Sequence, residues 1–596
     1  MKRIAFLLAA TVTLISTSFS QSPEITVNEL KTHVQYLASD ELEGRGSGTE
    51  GNRKAAEYLQ QQFASYGLKP AGKDGSFLQE FEFVSAVKLG SKNALSISPA
   101  QGAKRQYVVD RDFRPLGFSS NAAVTGSVVF AGYGISAPEK EYDDYKDIDV
   151  TGKIVVALRY GPDGNDIHSE LYRFTSFRNK ARYAREKGAA ALIIVDQLSE
   201  DPVKLSYDQS HSTSGIPCMS VKKSVLEELL TPFKKDLGGI QESIKANRQP
   251  VAFDIPGVMI SLETEVIQVM SRTANVLGYV EGTTHKDEVV VIGAHFDHLG
   301  YGGESSGSLQ PDAIAIHNGA DDNASGTAAL LEIAQKFAAS RNSLTRTVLF
   351  IGFSGEELGT LGSQYYTNNP YFALNQTVAM LNMDMIGRMK ENTLTVHGVG
   401  TSPVWNDIVK KWNTAPDTMS IRTVADGFGP SDHASFYTKD IPVLFFFTGT
   451  HNDYHKPSDD WDKINYEDKQ RIARYVYNIA NDVQSMTPRP QFTKSQPTAS
   501  AMGGGDGRGF SVTLGVVPDY AADVKGMKID GTRAGGPGEK AGLQAGDIIT
   551  MLGGKKILNI YDYMGILGEL KVGQVVEIEI MRDGKPMTVS ATMTKR

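Results

Sequence analysis

At 596 residues the chain is too long for one hydrophobic core, and at roughly 100 to 200 residues per domain it reads as three or four compact units. A net charge of −8, a pI near 5.9 and scattered lysines and arginines exclude a nucleic-acid footprint and favour peptide or small-molecule partners. The lone cysteine, Cys218, excludes an internal disulfide and is expected as a small buried hydrophobe.

The chain opens with Lys2 and Arg3, an apolar stretch from Ile4 to Ile15, and Ser18-Phe19-Ser20. These fit the three parts of a secretory signal peptide over residues 1–20, so a periplasmic or secreted protein is expected. No cysteine near that site offers a lipid anchor, and no later run reaches the ~18 apolar residues of a membrane span.

Val27 to Leu37 has helical spacing and leads into the irregular Glu43-Gly44-Arg45-Gly46-Ser47-Gly48-Thr49. Gly51 to Tyr66 carries Ala55, Ala56, Leu59 and Phe63 on one face, with Gly67 placed as a C-terminal cap. From about Arg114 the texture turns to strands: Gly126 to Ile135, Gly152 to Leu158 and Ala189 to Val195, with a helix from Arg178 to Lys187 before the last. This order resembles a protease-associated domain, a β-rich module inserted into exopeptidases. The competing reading is that these strands extend the main domain.

From roughly Ser261 to Ser485 strands and helices alternate. Glu288 to Ala294, Thr347 to Phe353, Thr377 to Asn382 and Pro442 to Phe447 are the strand candidates, and Ala324 to Ala339 and Tyr466 to Gln484 the helices. The alternation predicts an α/β fold, a mainly parallel twisted sheet flanked by helices. Residues 487–508, rich in Pro, Thr, Ser and Gly, read as a linker. Beyond it, Thr513-Leu514-Gly515-Val516, Gly538 to Ile549 and a strand pair near 575–580 and 587–592 resemble a PDZ domain. That resemblance implies that Leu514 and Gly515 form the loop that receives a peptide or protein C-terminus, beside an exposed strand edge. The alternative is a PDZ module that packs on the rest of the chain as a spacer.

Chemistry-bearing residues gather where strands end. His295 and Asp297 follow Val289 to Ile292; Asp321, Asp322 and Asn323 precede a helix; Glu356 and Glu357 follow Val348 to Ser354; Asp384 follows Ala379 to Met383; His455 lies shortly after Phe445-Phe446-Phe447. Several carboxylates at one sheet edge are costly without a cation to share, so the pattern points to a metal.

Together these blocks resemble the di-zinc aminopeptidase family, with its related carboxypeptidases and glutaminyl cyclases. The resemblance runs from about Leu37 to Ser485, interrupted by the inserted module, and includes the early Glu43 to Thr49 segment. It implies two zinc ions per chain: His295 and Asp384 on one, Glu357 and His455 on the other, Asp322 bridging, Glu356 as general base and Asp297 orienting His295. It also implies removal of N-terminal residues from peptides. Carboxypeptidase or cyclase chemistry on the same scaffold is an alternative, although cyclases typically bind one zinc. A third reading is an inactive PDZ-bearing binding protein, which would have no reason to keep so costly a carboxylate cluster.

Other residues carry less. Ser431-Asp432-His433 resembles a segment near substrate in the family, or else fixes a loop by hydrogen bonds. Some relatives have a tyrosine where this chain has Phe428, which lacks the hydroxyl to steady a tetrahedral intermediate. Asp321 is expected as a structural neighbour of Asp322, and His298 and His317 as loop residues. The expected organisation is a leader at 1–20, peptidase segments at 22–113 and 261–486, the insertion at 114–260, the linker at 487–508 and the PDZ module at 509–596.

Overall fold

The computed structural model describes residues 23–166, 168–207, 212–303, 306–495, 512–519, 522, 524–532 and 535–595. The expected leader and all but the first part of the expected linker lie outside them.

Three sheets organise the chain. The largest contains, in spatial order, Lys69–Pro70, Val266–Val280, Arg346–Phe353, His285–His295, Thr377–Met383, Val443–Phe447, Thr393–His397 and Ser420–Val424, with Leu78–Leu89 also paired to Val266–Val280. The four central strands, from Arg346–Phe353 to Val443–Phe447, are mutually parallel. Their flanks are antiparallel. The central strands are buried on both faces, which is why they read as continuous apolar runs.

One face is covered by helices Val27–Leu37, Gly326–Ala339 and Tyr466–Ser485, which share a core with Leu330, Phe337, Ile472 and Ile479. The opposite face packs Tyr366, Phe428, Phe436 and Tyr437. Local signals set the helix ends: Thr26 and Thr49 accept from backbone N–H groups in the first turns, and Gly67, at φ +73°, follows the helix Glu50–Ser65.

The second sheet takes strands Arg105–Tyr107, Ala94–Ser98, Ala252–Thr264, Ala122–Ala131, Ile154–Leu158, Ala191–Val195, Cys218–Val221 and Phe113–Pro115. It therefore starts upstream of residue 114, because Ala252–Thr264 pairs with Ala94–Ser98 on one side and Ala122–Ala131 on the other. The chain passes between the two sheets at a narrow neck. There Gly90 N–H donates to Glu265 O at 2.8 Å and Glu265 N–H to Asn93 Oδ1 at 2.7 Å. Cys218 is fully buried in this second core, and burial pushes its thiol up to about 12.

The third sheet runs Val516–Pro518, Met527–Thr532, Ile548–Leu552, Val575–Arg582 and Lys585–Thr592, closed by the helix Ile560–Glu569. This module packs on the inserted one. Arg182, on the helix Phe177–Glu186, is 1% exposed and pairs with Glu569 at 2.5 Å and Glu186 at 3.0 Å, while Arg185 reaches Asp562 at 2.9 Å. Within the stretch read as a linker, Phe492 contacts Tyr437, and Ser495 is buried with its hydroxyl on Gly427 N–H and Tyr437.

Candidate active site

The parallel strands explain why distant residues meet. His295 is the last residue of its strand, Glu356 and Glu357 follow Arg346–Phe353, Asp384 follows Thr377–Met383, and His455 lies in the loop after Val443–Phe447. All leave the same edge of the sheet. Asp322 comes from the turn Ala320–Ser325 that opens the helix Gly326–Ala339. Asn323 ties this turn to the next strand end: its amide donates to Met383 O at 3.0 Å and its Oδ1 accepts from Gly326 and Met385 N–H.

Two sets of ligand-type atoms result. His295 Nε2 stands 3.3 Å from Asp384 Oδ1, 3.4 Å from Asp322 Oδ1 and 3.8 Å from Glu356 Oε2. His455 Nε2 stands 3.2 Å from both Asp322 Oδ2 and Glu357 Oε2. The two oxygens of Asp322 are thus divided between the imidazoles. Two ligands held tetrahedrally by one zinc at about 2.0 to 2.1 Å are about 3.3 Å apart, so the spacing suits the ion. Among the described residues His295 Nε2 and Asp384 Oδ1 are buried and find no hydrogen-bond partner, a costly state that a cation relieves. Nitrogen and carboxylate donors are the set that zinc accepts.

His298 departs from the expectation of a loop residue. Its ring is buried and its Nδ1 lies 2.7 Å from Glu357 Oε1. His317 behaves as expected, fixed in its loop by Ser308 Oγ at 2.8 Å and Ala315 O at 2.9 Å. Asp321 is likewise a structural neighbour, accepting from Gly387 N–H at 2.7 Å and facing His451 at 3.2 Å.

Buried polar groups hold the loops. The Asp459 carboxylate accepts from the N–H groups of Asp321 and Asp322 at 3.0 and 3.1 Å. Asp297 accepts from Ser47 Oγ at 2.8 Å and from the N–H groups of Glu356 and Glu357 at 3.2 and 3.4 Å. Its Oδ1 is 3.7 Å from His295 Nδ1, which instead lies 3.2 Å from the Asp297 carbonyl. The carboxylate therefore anchors the Glu356-Glu357 turn more directly than the imidazole. Arg45 was invisible as a functional residue in sequence. Its guanidinium, fully buried, donates to the carbonyls of Leu37, Phe296, Asn318 and Gly319.

The electrostatics follow from crowding. Burial favours a neutral Asp322, but the facing imidazoles of His295 and His455 win and hold it well below the usual carboxylate range. Burial also favours a neutral Glu357, yet His455 and His298 pull it down to about 2. Glu356 goes the other way: burial, then the charges of Asp384, Glu357 and Asp432 overcome the attraction of His295 and raise it well above its ordinary value. The two adjacent glutamates are thus pushed in opposite directions.

Ser431 accepts from Asn382 Nδ2 at 2.9 Å and helps to hold the Asp384 carboxylate, while burial raises Asp432 to about 7. His433 stacks on Phe445, away from the two ligand sets. Phe428 lies in the apolar cluster against Tyr437, not among the carboxylates. The aromatic residue beside the site is Tyr454, stacked on His455 with ring centres 3.9 Å apart. Burial and the charges of Asp322, Glu357, Glu356 and Asp384 keep its phenol protonated. Adjacency to His455 was the signal that could have found it.

In the third module, Leu514 is buried and its carbonyl accepts from Gly538 N–H at 2.7 Å. Gly515, at φ +68°, donates its N–H to Thr513 Oγ1 at 2.9 Å. Val516–Pro518 pairs on one side with Met527–Thr532, and the other edge carries no described strand.

Comparison with known proteins agrees with this division. Residues 275–480 match the model of peptidase family M28, 124–229 that of the PA domain and 513–593 that of the PDZ domain. The chain thus carries an M28 peptidase region, a PA domain and a PDZ domain. It is similar to "Aminopeptidase YwaD" of Bacillus subtilis, at 24% identity over 334 residues covering 55% of this chain and 64% of the relative. It is also similar to "Probable leucine aminopeptidase" of Arthroderma otae, at 30% identity over 241 residues covering 38% of this chain and 62% of the relative. The chain spans just under two thirds of these relatives' lengths. Among solved structures, "Aminopeptidase from Aneurinibacillus sp. strain AM-1" aligns with a TM-score of 0.47 at 22% identity, covering 79% of this chain and 95% of that one. Among the described residues no helix is long and apolar enough to cross a membrane.

Proposed function

We propose that the protein is an exported aminopeptidase that holds two zinc ions and removes N-terminal residues from peptides. The observation that carries this reading is Asp322, with Oδ1 3.4 Å from His295 Nε2 and Oδ2 3.2 Å from His455 Nε2, a bridging carboxylate between two sets at zinc-ligand spacing. His295 and Asp384 would hold one ion, and Glu357 and His455 the other. When bound, the pair supplies a Lewis acid for the scissile carbonyl and lowers the pKa of the attacking water.

The chain's own residues do the rest. Glu356 Oε2 is the farthest of three carboxylates from His295 Nε2, at 3.8 Å against 3.3 and 3.4 Å, and outside the ligand set it is free to take the water's proton and deliver it to the leaving amine. Asp297 fixes the turn that separates Glu356 from its ligand neighbour through their two N–H groups. Tyr454 offers a protonated phenol beside the same cluster, where Phe428 has none to give. The site gathers carboxyl groups, Glu356 and Asp432 among them beyond the ligand set, and the N-terminal ammonium is the end of a peptide that acidic groups receive. The names of the two relatives point to the same end of the peptide. Export rests on the leader-like residues 1–20, and the unpaired edge of Val516–Pro518 supports peptide binding by the PDZ module.

Glu356→Gln tests the reading. It is expected to keep both zinc ions and lose about 10²- to 10⁴-fold in hydrolysis of aminoacyl anilides. Digestion of a defined peptide library, read by mass spectrometry, should show loss from the N-terminus. Full activity in Glu356→Gln, or trimming from the C-terminus, would sink the proposal.

A further inference from the structure

Among the described residues, His298 lies close enough to Asp322 and Glu357 to share an ion with them, but the ligand scheme leaves it out and its geometry differs from that of the imidazoles assigned there. The imidazole–carboxylate separations assigned to shared ions are 3.2 to 3.4 Å. His298 Nδ1 lies 2.7 Å from Glu357 Oε1. Two ligands on one tetrahedral zinc stand about 3.3 Å apart, so no ion fits between these atoms. At that distance the contact is a charge-assisted hydrogen bond, and since a carboxylate can only accept, Nδ1–H is the donor.

The ring is held for this purpose. His298 N–H donates to Arg45 O at 3.3 Å, and the residue forms a backbone bridge with Gly46. Gly319, at φ +55°, lies so close beneath the ring that a Cβ there would come within 2.5 Å of His298 Cγ. The other nitrogen, Nε2, is buried and makes no hydrogen bond. Among the described residues the side chain therefore makes one hydrogen bond, and its partner is Glu357.

We infer that His298 is a positioning residue: by donating Nδ1–H to Glu357 Oε1 it fixes the carboxylate so that Oε2 faces His455 and the second metal position. Glu357 needs such a partner. It comes from the turn between the strand Arg346–Phe353 and the helix Leu361–Asn368, and its carboxylate would otherwise rotate about its last bond. The inference rests on the two-zinc reading and adds a residue outside the ligand set.

The test is zinc affinity, read by competition with a chelator on the full chain. Asparagine can place an amide N–H near the position of Nδ1, whereas leucine fills the volume without a donor. His298→Leu is expected to weaken one of two zinc sites by about 10- to 100-fold and leave the other unchanged. His298→Asn is expected to restore most of that loss, and His455→Leu to abolish the same site. Both affinities unchanged in His298→Leu would overturn the inference. So would His298→Asn losing zinc as completely as His455→Leu, which would make His298 a ligand. Wild-type protein that takes up fewer than two zinc ions would overturn the two-zinc reading and this inference together, whereas the other refuting results leave that reading standing.

Discussion

Replacing Arg45 with methionine should cost more than any surface change and should be felt at the metal site. The guanidinium is fully buried and joins three segments: Nε donates to Phe296 O at 2.8 Å, Nη2 to Gly319 O at 3.0 Å, and Nη1 to Asn318 O at 2.6 Å and to Leu37 O. Phe296 adjoins His295, and Asn318 and Gly319 lead into the turn that carries Asp322. Burial pulls the Arg45 pKa down to about 10, so the group remains charged at neutral pH. Methionine matches part of the volume but leaves the carbonyls without donors where water does not reach. Gains from hydrogen bonds to a charged donor are offset by the cost of burying it, so we expect a net loss of about 3 to 5 kcal/mol. Lysine should recover little, because one ammonium cannot span the fork. The assay is urea unfolding of metal-free protein followed by tryptophan fluorescence. All three tryptophans, Trp405, Trp412 and Trp461, lie in the peptidase region, so the signal reports that core. A loss below about 1 kcal/mol, with zinc affinity unchanged, would refute the view that Arg45 clamps the metal loops.

The core of the same sheet should also be sensitive to acid through His397. Burial, then Arg422, lower its pKa to about 4, and its ring lies on Phe445. The unfolded chain takes up this proton near pH 6.5 and the folded chain resists it, so stability is full above 6.5 and lost as pH falls toward 4. A drop from 6.5 to about 4, at about 1.4 kcal/mol per unit, is worth about 3 kcal/mol. His397→Phe should remove that part of the acid sensitivity; identical stability profiles for the two proteins over this window would contradict the assignment. At the PA–PDZ contact, Arg182→Leu removes the cross-module partner of Glu569, which keeps Lys555 of its own module. Hydrogen exchange in the helix Ile560–Glu569 should quicken by at least about tenfold, and unchanged protection would mean that the ion pair does not hold the modules together.

What could be read from the sequence, and what could not, divides along a physical line. His295, Glu356, Glu357 and Asp384 each follow an apolar run, and a run of that kind is a strand buried on both faces whose end must emerge at an edge. Their convergence followed from the parallel order of those strands, and the sheet has that order. The neck at Gly90, Asn93 and Glu265 was not legible, because it depends on which of two long antiparallel pairings each strand joins after leaving the other. Arg45 and His298 failed for a related reason. Arg45 acts on backbone carbonyls as far away as residue 319, and carbonyls have no signature in a sequence. His298 acts on a glutamate 59 positions later, and its spacing from His295 looks like that of any loop histidine. Residues that donate to a metal are constrained by the strand that delivers them, so their positions show in the pattern of apolar runs. Residues that hold those donors in place are constrained by the meeting of loops, which exists only after folding. Gly44 makes the point within one segment: a Cβ there would lie 2.4 Å from Gly300 O, so the glycine is required by a loop far along the chain rather than by its own turn alone.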